Sequence, residues 1–194
     1  NDIRQGSYAP VVLLVTPKKK QVISVGGSQA LGSMTRTNFE FVLSNNDLNT
    51  FSSLDKEENL GYAVNLELYQ EMLKRDTSRI QLRGQAAYRH ISRYFSSAER
   101  FRSVEFERDW NLEDSPTQEQ EHLANVGLQF FEAKAGRIRY NAEFMQRGSD
   151  FEGIRNTLLG NLKYSGFEFD VNASLLNSSD HFNESRCFLL PVTL

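Results

Sequence analysis

The stretch SGFEFDVNASL, residues 165–175, decides the fold. After a two-residue break at Ser165 and Gly166, Phe167, Phe169, Val171, Ala173 and Leu175 alternate with Glu168, Asp170, Asn172 and Ser174. Successive side chains of a strand point to opposite faces, so this segment has one apolar and one polar face. A helix would place its apolar residues three and four apart. Ser-Gly between two such runs is as tight as a β-hairpin connection allows.

The alternation recurs upstream. Thr35, Thr37, Phe39, Phe41 and Leu43 oppose Arg36, Asn38, Glu40 and Val42, and Tyr62, Val64, Leu66 and Leu68 oppose Ala63, Asn65, Glu67 and Tyr69. Ile80, Leu82, Gly84, Ala86 and Tyr88 oppose Arg79, Gln81, Arg83 and Gln85. Ile138, Tyr140, Ala142 and Phe144 oppose Arg139, Asn141, Glu143 and Met145. Two stretches compete with a strand reading. LELYQEMLKR, 66–75, consists of good helix formers. Ser115, Pro116 and Glu119 have the look of a capping serine, a first-position proline and a first-turn acid. Beyond them, Ala124, Val126, Leu128 and Phe130 alternate with Leu123, Asn125, Gly127 and Gln129. Both stretches are read as strand.

Connections of unequal length join these segments. Those near 31–33, 74–78, 132–136 and 165–166 are short, 148–152 is intermediate, and 44–59 and 96–120 are long and polar. In a meander every second connection lies at the same end of the sheet, so the long loops are expected together. Outer-membrane barrels have this asymmetry. The segment 79–95, broken only by Gly84, exceeds the usual strand of about 5–6 residues, whereas membrane-crossing strands need about 9–11. At the start, the apolar run PVVLLVT (10–16) precedes Pro17 and three lysines. Residues 1–20 are therefore read as an N-terminal extension or accessory strand, and 21–194 as the meander.

Composition bounds the function. The chain is 39% hydrophobic and 24% charged, with mean hydropathy −0.50, which excludes a helical membrane protein but not a barrel with half-apolar strands. A net charge of −3 gives no electrostatic reason to expect nucleic acid. The single Cys187 excludes an intrachain disulfide framework. The chain opens at Asn1 without a methionine and reads as an excised piece.

The segments PVVLLVTPKKKQVISVGG (10–27), FVLSNNDLNTFSSLDKEENLGYA (41–63) and ERFRSVEFERDW (99–110) resemble parts of large, strand-rich outer-membrane or cell-surface proteins of Bacteroidetes-type bacteria. The resemblance implies a piece of a longer barrel protein, with no catalytic or ligand residue to carry over.

Few motifs point to chemistry. Asp47, Asn49, Asp55, Glu57 and Glu58 crowd one loop but lack EF-hand spacing. His90, His122 and His181 are far apart, with no i,i+4 partner of the helical zinc type. His90 and Ser92 share a face, yet no G-x-S-x-G elbow exists. The loop 96–120 is the strongest candidate. Its acids Glu99, Glu105, Glu107 and Asp109 lie close in sequence to Phe101, Phe106 and Trp110, the composition of a sugar site. A hydrolytic pair needs two carboxylates held across a cleft, which one loop rarely supplies, so the preferred reading is a structured loop in which Arg100, Arg102 and Arg108 pair with those acids and the aromatics pack on the barrel mouth. Phe101, Phe106, Trp110, Arg102 and Arg108 are the expected ligand or partner residues, since recognition concentrates on loops held by a rigid sheet. Inner-face arginines such as Arg36, Arg83, Arg139 and Arg155 are expected to pair with Glu40, Glu67, Glu71 and Glu143 across strands.

The expectation is an all-β antiparallel up-and-down meander of about eight strands, part or all of a β-barrel. A non-enzymatic outer-membrane or cell-surface role in transport, scaffolding or interaction follows, with lipid or surface proteins as partners and no cofactor. The rival is a soluble barrel or curled sheet, periplasmic or secreted, that turns its apolar face inward and binds an apolar or carbohydrate ligand. Alternation alone does not separate the two, because inverting a barrel leaves the pattern unchanged.

Overall fold

A computed structural model of the chain describes residues 15–54, 56–74, 80–112, 118–180, 184–189 and 192–193. Eight long strands follow one another: β1 (Lys19–Ala30), β2 (Thr35–Asp47), β3 (Leu60–Lys74), β4 (Ile80–Ile91), β5 (Glu121–Glu132), β6 (Gly136–Arg147), β7 (Phe151–Tyr164) and β8 (Phe167–Asp180). Each pairs antiparallel with the next. Two short pieces, β9 (Glu184–Leu189) and β10 (Val192–Thr193), both pair with β8. Leu189 lies opposite Ser174 and Val192 opposite Val171, so the two pieces keep one register and share a ninth position. The fold is an all-β antiparallel meander. The sheet is open among the described residues, with β1 at one edge and β9 and β10 at the other.

Of the first contested stretch, residues 66–74 are strand. The helix formers of 66–74 lie in β3, whose pairing with β4 overrides their propensity and shifts register between Glu71 and Leu73. Alternation through 123–130 lies in β5, while Ser115 and Pro116 fall outside the described residues. Several boundaries differ from the sequence reading, β2 among them, which runs on to Asp47 inside the stretch read as a loop. β4 stops at Ile91 instead of reaching Phe95, because the Ser92 hydroxyl accepts the Tyr62 backbone N–H at 2.7 Å and replaces the ladder partner. β7 begins at Phe151, so the connection before it is only three residues long. The long connections after β2 and β4 share one end of the sheet with that short one.

The register turns the alternation into two continuous faces. One row of the apolar face runs Phe41, Val64, His90, His122, Gln146, Glu152, Ser179 from β2 to β8. It starts apolar and ends polar. The apolar band is centred on Phe41 in β2 but on Val171 in β8, eight residues from Ser179. At about 3.4 Å per residue and about 4.8 Å per strand over six steps, the band is inclined to the cross-strand rows by about 40°. Most of it is uncovered: Ile23 is 70% exposed, Val126 58% and Phe39 49%.

The buried core lies on the other face. Trp110, Leu112, Met145, Phe151 and Leu176 form it, with Phe106 and Leu123 against it. Met145, Phe151, Leu123 and Leu176 all stand on the polar side of their strands, at the long-loop end.

Gly136 opens β6 at φ +108°, and a Cβ there would collide with the Asn161 carbonyl oxygen. Gly136→Ala should lower stability by about 1–3 kcal/mol, read as the denaturant midpoint of the folded protein. Gly160→Ala, where the nearest atom is 3.6 Å away, should leave the midpoint in place.

Candidate functional site

The segment after β4 does not project away from the sheet. It folds across the polar face. Phe95 N–H donates to the Ser92 carbonyl at 3.1 Å, turning the chain toward β3. There the backbone of Tyr94 and Phe95 lies directly on Gly61, where any Cβ would collide with it. Ser96 N–H then donates to the Ser44 hydroxyl of β2 at 3.0 Å, and Ser44 is 1% exposed. At β1, Lys20 Nζ donates to the Ser97 carbonyl at 2.5 Å.

The return path crosses β5, β6 and β7. It includes a single helical turn, α1 (Phe106–Asp109). Arg147 of β6, 1% exposed, is held by three hydrogen bonds. Its Nε donates to Glu121 at 2.8 Å, and its two terminal nitrogens donate to the two oxygens of Glu107 at 3.1 Å each. Such a fork matches carboxylate geometry and fixes orientation as well as charge. Arg102 adds an ion pair to Glu121 and another to Glu107 at 3.7 Å. Arg155 of β7 pairs with Glu143 at 2.7 Å and Asp109 at 3.7 Å, and sits 4.8 Å from the Trp110 ring centroid. The Trp110 indole fills the space that Gly153 leaves, 3.3 Å from where a Cβ would be. The loop is thus fastened from β1 to β7.

The expected site residues separate into two groups. Phe101, Phe106 and Arg102 line a cleft of about 300 Å³ between the loop and β4–β5. Arg102 covers both rings, at 4.9 and 4.6 Å, and Phe95 meets Phe101 edge-on at 6.3 Å. Trp110 is packed in the core, and Arg108 is exposed, pairing with Glu105 at 2.5 Å and Asp109 at 3.8 Å. The residues that fasten the loop, Arg147, Glu121, Ser44 and Gly61, have no local sequence signal. Each is defined by a partner 17 to 52 residues away.

Other motifs find structural partners. Asp47 is paired with Lys56 at 2.5 Å. His90 and His122 stand opposite each other on the apolar face, ring centroids 4.5 Å apart, with the Tyr88 hydroxyl 2.8 Å from His122 Nδ1. No group of three or more His, Cys, Asp or Glu side chains set to hold a metal occurs among the described residues. Of the inner-face arginines, Arg155 pairs with Glu143, and Arg83 with Glu71 at 3.5 Å. No protein-family model, curated protein or solved structure matches the chain.

Two substitutions probe the fastening. Gly61→Ala should lift the 93–104 segment, so that trypsin cuts after Arg93 and Arg100 several-fold faster while the rest of the sheet stays resistant. Arg147→Met leaves Glu107 and Glu121 with Arg102 in place of two guanidinium partners and should cost about 3 kcal/mol in the denaturant midpoint. Adding Glu121→Gln should restore part of that loss.

Proposed function

We propose that this chain forms part of the wall of a non-enzymatic transmembrane β-barrel in an outer membrane or at a cell surface. Its apolar face meets lipid, and its polar face lines a wet interior that the 92–112 segment narrows. One observation supports this above the rest. The loop and the buried core occupy the polar face, and the apolar face stays bare across the strands. A sheet that turned its apolar side inward would be expected to fold its longest loop over that side. Water-exposed proteins rarely leave contiguous apolar patches beyond a few hundred Å².

The inclination of the band supports the same reading. Barrel strands tilt by about 35–45°, so a belt lying flat in a bilayer must cross the strand rows at such an angle. Strands of 12 to 15 residues in β1–β8 are long enough to span at that tilt. The resemblance of the 10–27, 41–63 and 99–110 segments to strand-rich Bacteroidetes-type surface proteins points to that setting. Glu105, Glu107 and Asp109 are engaged by arginines, which favours a structural loop over a hydrolytic pair.

Trp110 makes the test self-controlled, because the native indole is enclosed on the polar side. In bilayers, Val126→Trp should add an emission component quenched by brominated lipid and insensitive to aqueous iodide. The native Trp110 emission should respond to neither. If iodide alone quenches the new component in a folded sample, the membrane reading fails and the soluble ligand-binding sheet replaces it.

A further inference from the structure

We propose that the polar face holds a second site, an anion-binding trough at the short-turn end, suited to small molecules with carboxylate or phosphate groups. It rests on reading the polar face as the wet interior, and it names the solute class that this interior retains. The trough encloses about 630 Å³ between β1 and β6, away from the loop described above.

Its chemistry follows from which hydrogen-bonding groups are already used. Arg83, Gln129 and Arg139 stand in one row on β4, β5 and β6. Arg139 donates to Gln129 Oε1 at 2.9 Å, which occupies the amide oxygen and leaves the Gln129 NH₂ to donate. In the next row Gln85 reaches over Gly127, its Nε2 lying 3.4 Å from the Oδ1 atoms of both Asn125 and Asn141. A Cβ on residue 127 would meet Asn141 Oδ1 at 2.5 Å and Gln85 Cγ at 2.8 Å, so glycine is what lets this amide bridge form the floor. The bridge occupies the acceptor of Asn141, a lining residue, and leaves its NH₂ to donate. Thr35, Asn38, Tyr69 and Gln70 already donate to neighbouring groups, so the donors left for a solute are chiefly those of the arginines and the Gln129 and Asn141 amides.

Charge has the same sense. Three arginines, Arg36, Arg83 and Arg139, line the trough against one carboxylate, Glu71. Arg36 pairs with no carboxylate among the described residues, and the contact from Arg83 to Glu71 is a loose 3.5 Å. The backbones bearing Arg83 and Arg139 are two strand spacings apart, roughly 10 Å, so two long guanidinium arms can close on one oxyanion from either side. The volume exceeds what one oxyanion needs, which favours an organic molecule that carries such groups.

Calorimetric titration of the folded protein in detergent tests this, with citrate and inorganic phosphate as probes and glycerol as the uncharged comparator. Saturable binding of citrate or phosphate is expected, weakening with added salt, and the tighter probe identifies the favoured group. Arg83→Gln and Arg139→Gln should each weaken binding about tenfold, the worth of one charge-assisted hydrogen bond. Glu71→Gln should tighten it, an effect that mere loss of structure would not produce. Lys163→Gln, a cation on β7 that does not line the trough, should change nothing. Absence of saturable binding by both probes, or an equal loss in Lys163→Gln, overturns the site. Neither outcome bears on the lipid-quenching result for Val126→Trp, so the two readings fail separately.

Discussion

From β1 to β8 the ladder shifts register once, between Glu71 and Leu73. A one-residue slip in any strand would turn its apolar set to the opposite face. Both faces, and everything built on them, therefore depend on that register. The apolar face is continuous because seven successive pairings agree, and the polar face gathers arginines and carboxylates into reach of one another for the same reason. Pairing in rows also places Leu123, Met145 and Leu176 on the polar side at one end, where they receive the indole of Trp110.

The fastening of the loop is a trade between burial and charge. Placing Arg147 out of water is costly, and the cost is offset only because Glu107 and Glu121 meet its nitrogens with good geometry. Such a pair adds little net stability compared with an apolar replacement, but it fixes the loop in one position. The apolar contacts of Trp110, Phe151 and Met145 supply attraction; the ion pairs supply orientation. Gly61 and Gly153 let the loop lie close to β3 and β7.

How much of this is legible in the sequence depends on how local the cause is. Period-two alternation is a property of neighbours in the chain, so the strands and their faces can be read directly from stretches such as 165–175. Residues 66–74 show where propensity misleads, since pairing with β4 decides their conformation. The end of β4 is hidden because it depends on a hydroxyl of Ser92 meeting the backbone of Tyr62, thirty residues away. The 99–110 loop stands out by composition, and Phe101, Phe106 and Arg102 do meet in one cleft. Trp110 does not join them, because Gly153 opens a place for it in the core. Arg147 and Glu121 look like any other polar-face residues until the register brings them together.

The inclined band has a consequence for how such a sheet ends. Each strand's apolar centre is displaced along the sheet from that of its neighbour, so the edge at β1 and the edge at β9 and β10 sit at different heights relative to their own rows. A ring made by adding strands between these edges cannot be joined rung for rung. Its seam must be offset, and the size of the offset grows with the number of strands added. Only one offset keeps apolar residues beside apolar residues all the way round. In any ring closed from this sheet, the pattern of side chains would thus fix the ratio of seam offset to strand number, and a partner strand that matched in hydrogen bonding but not in height would leave a step in the belt.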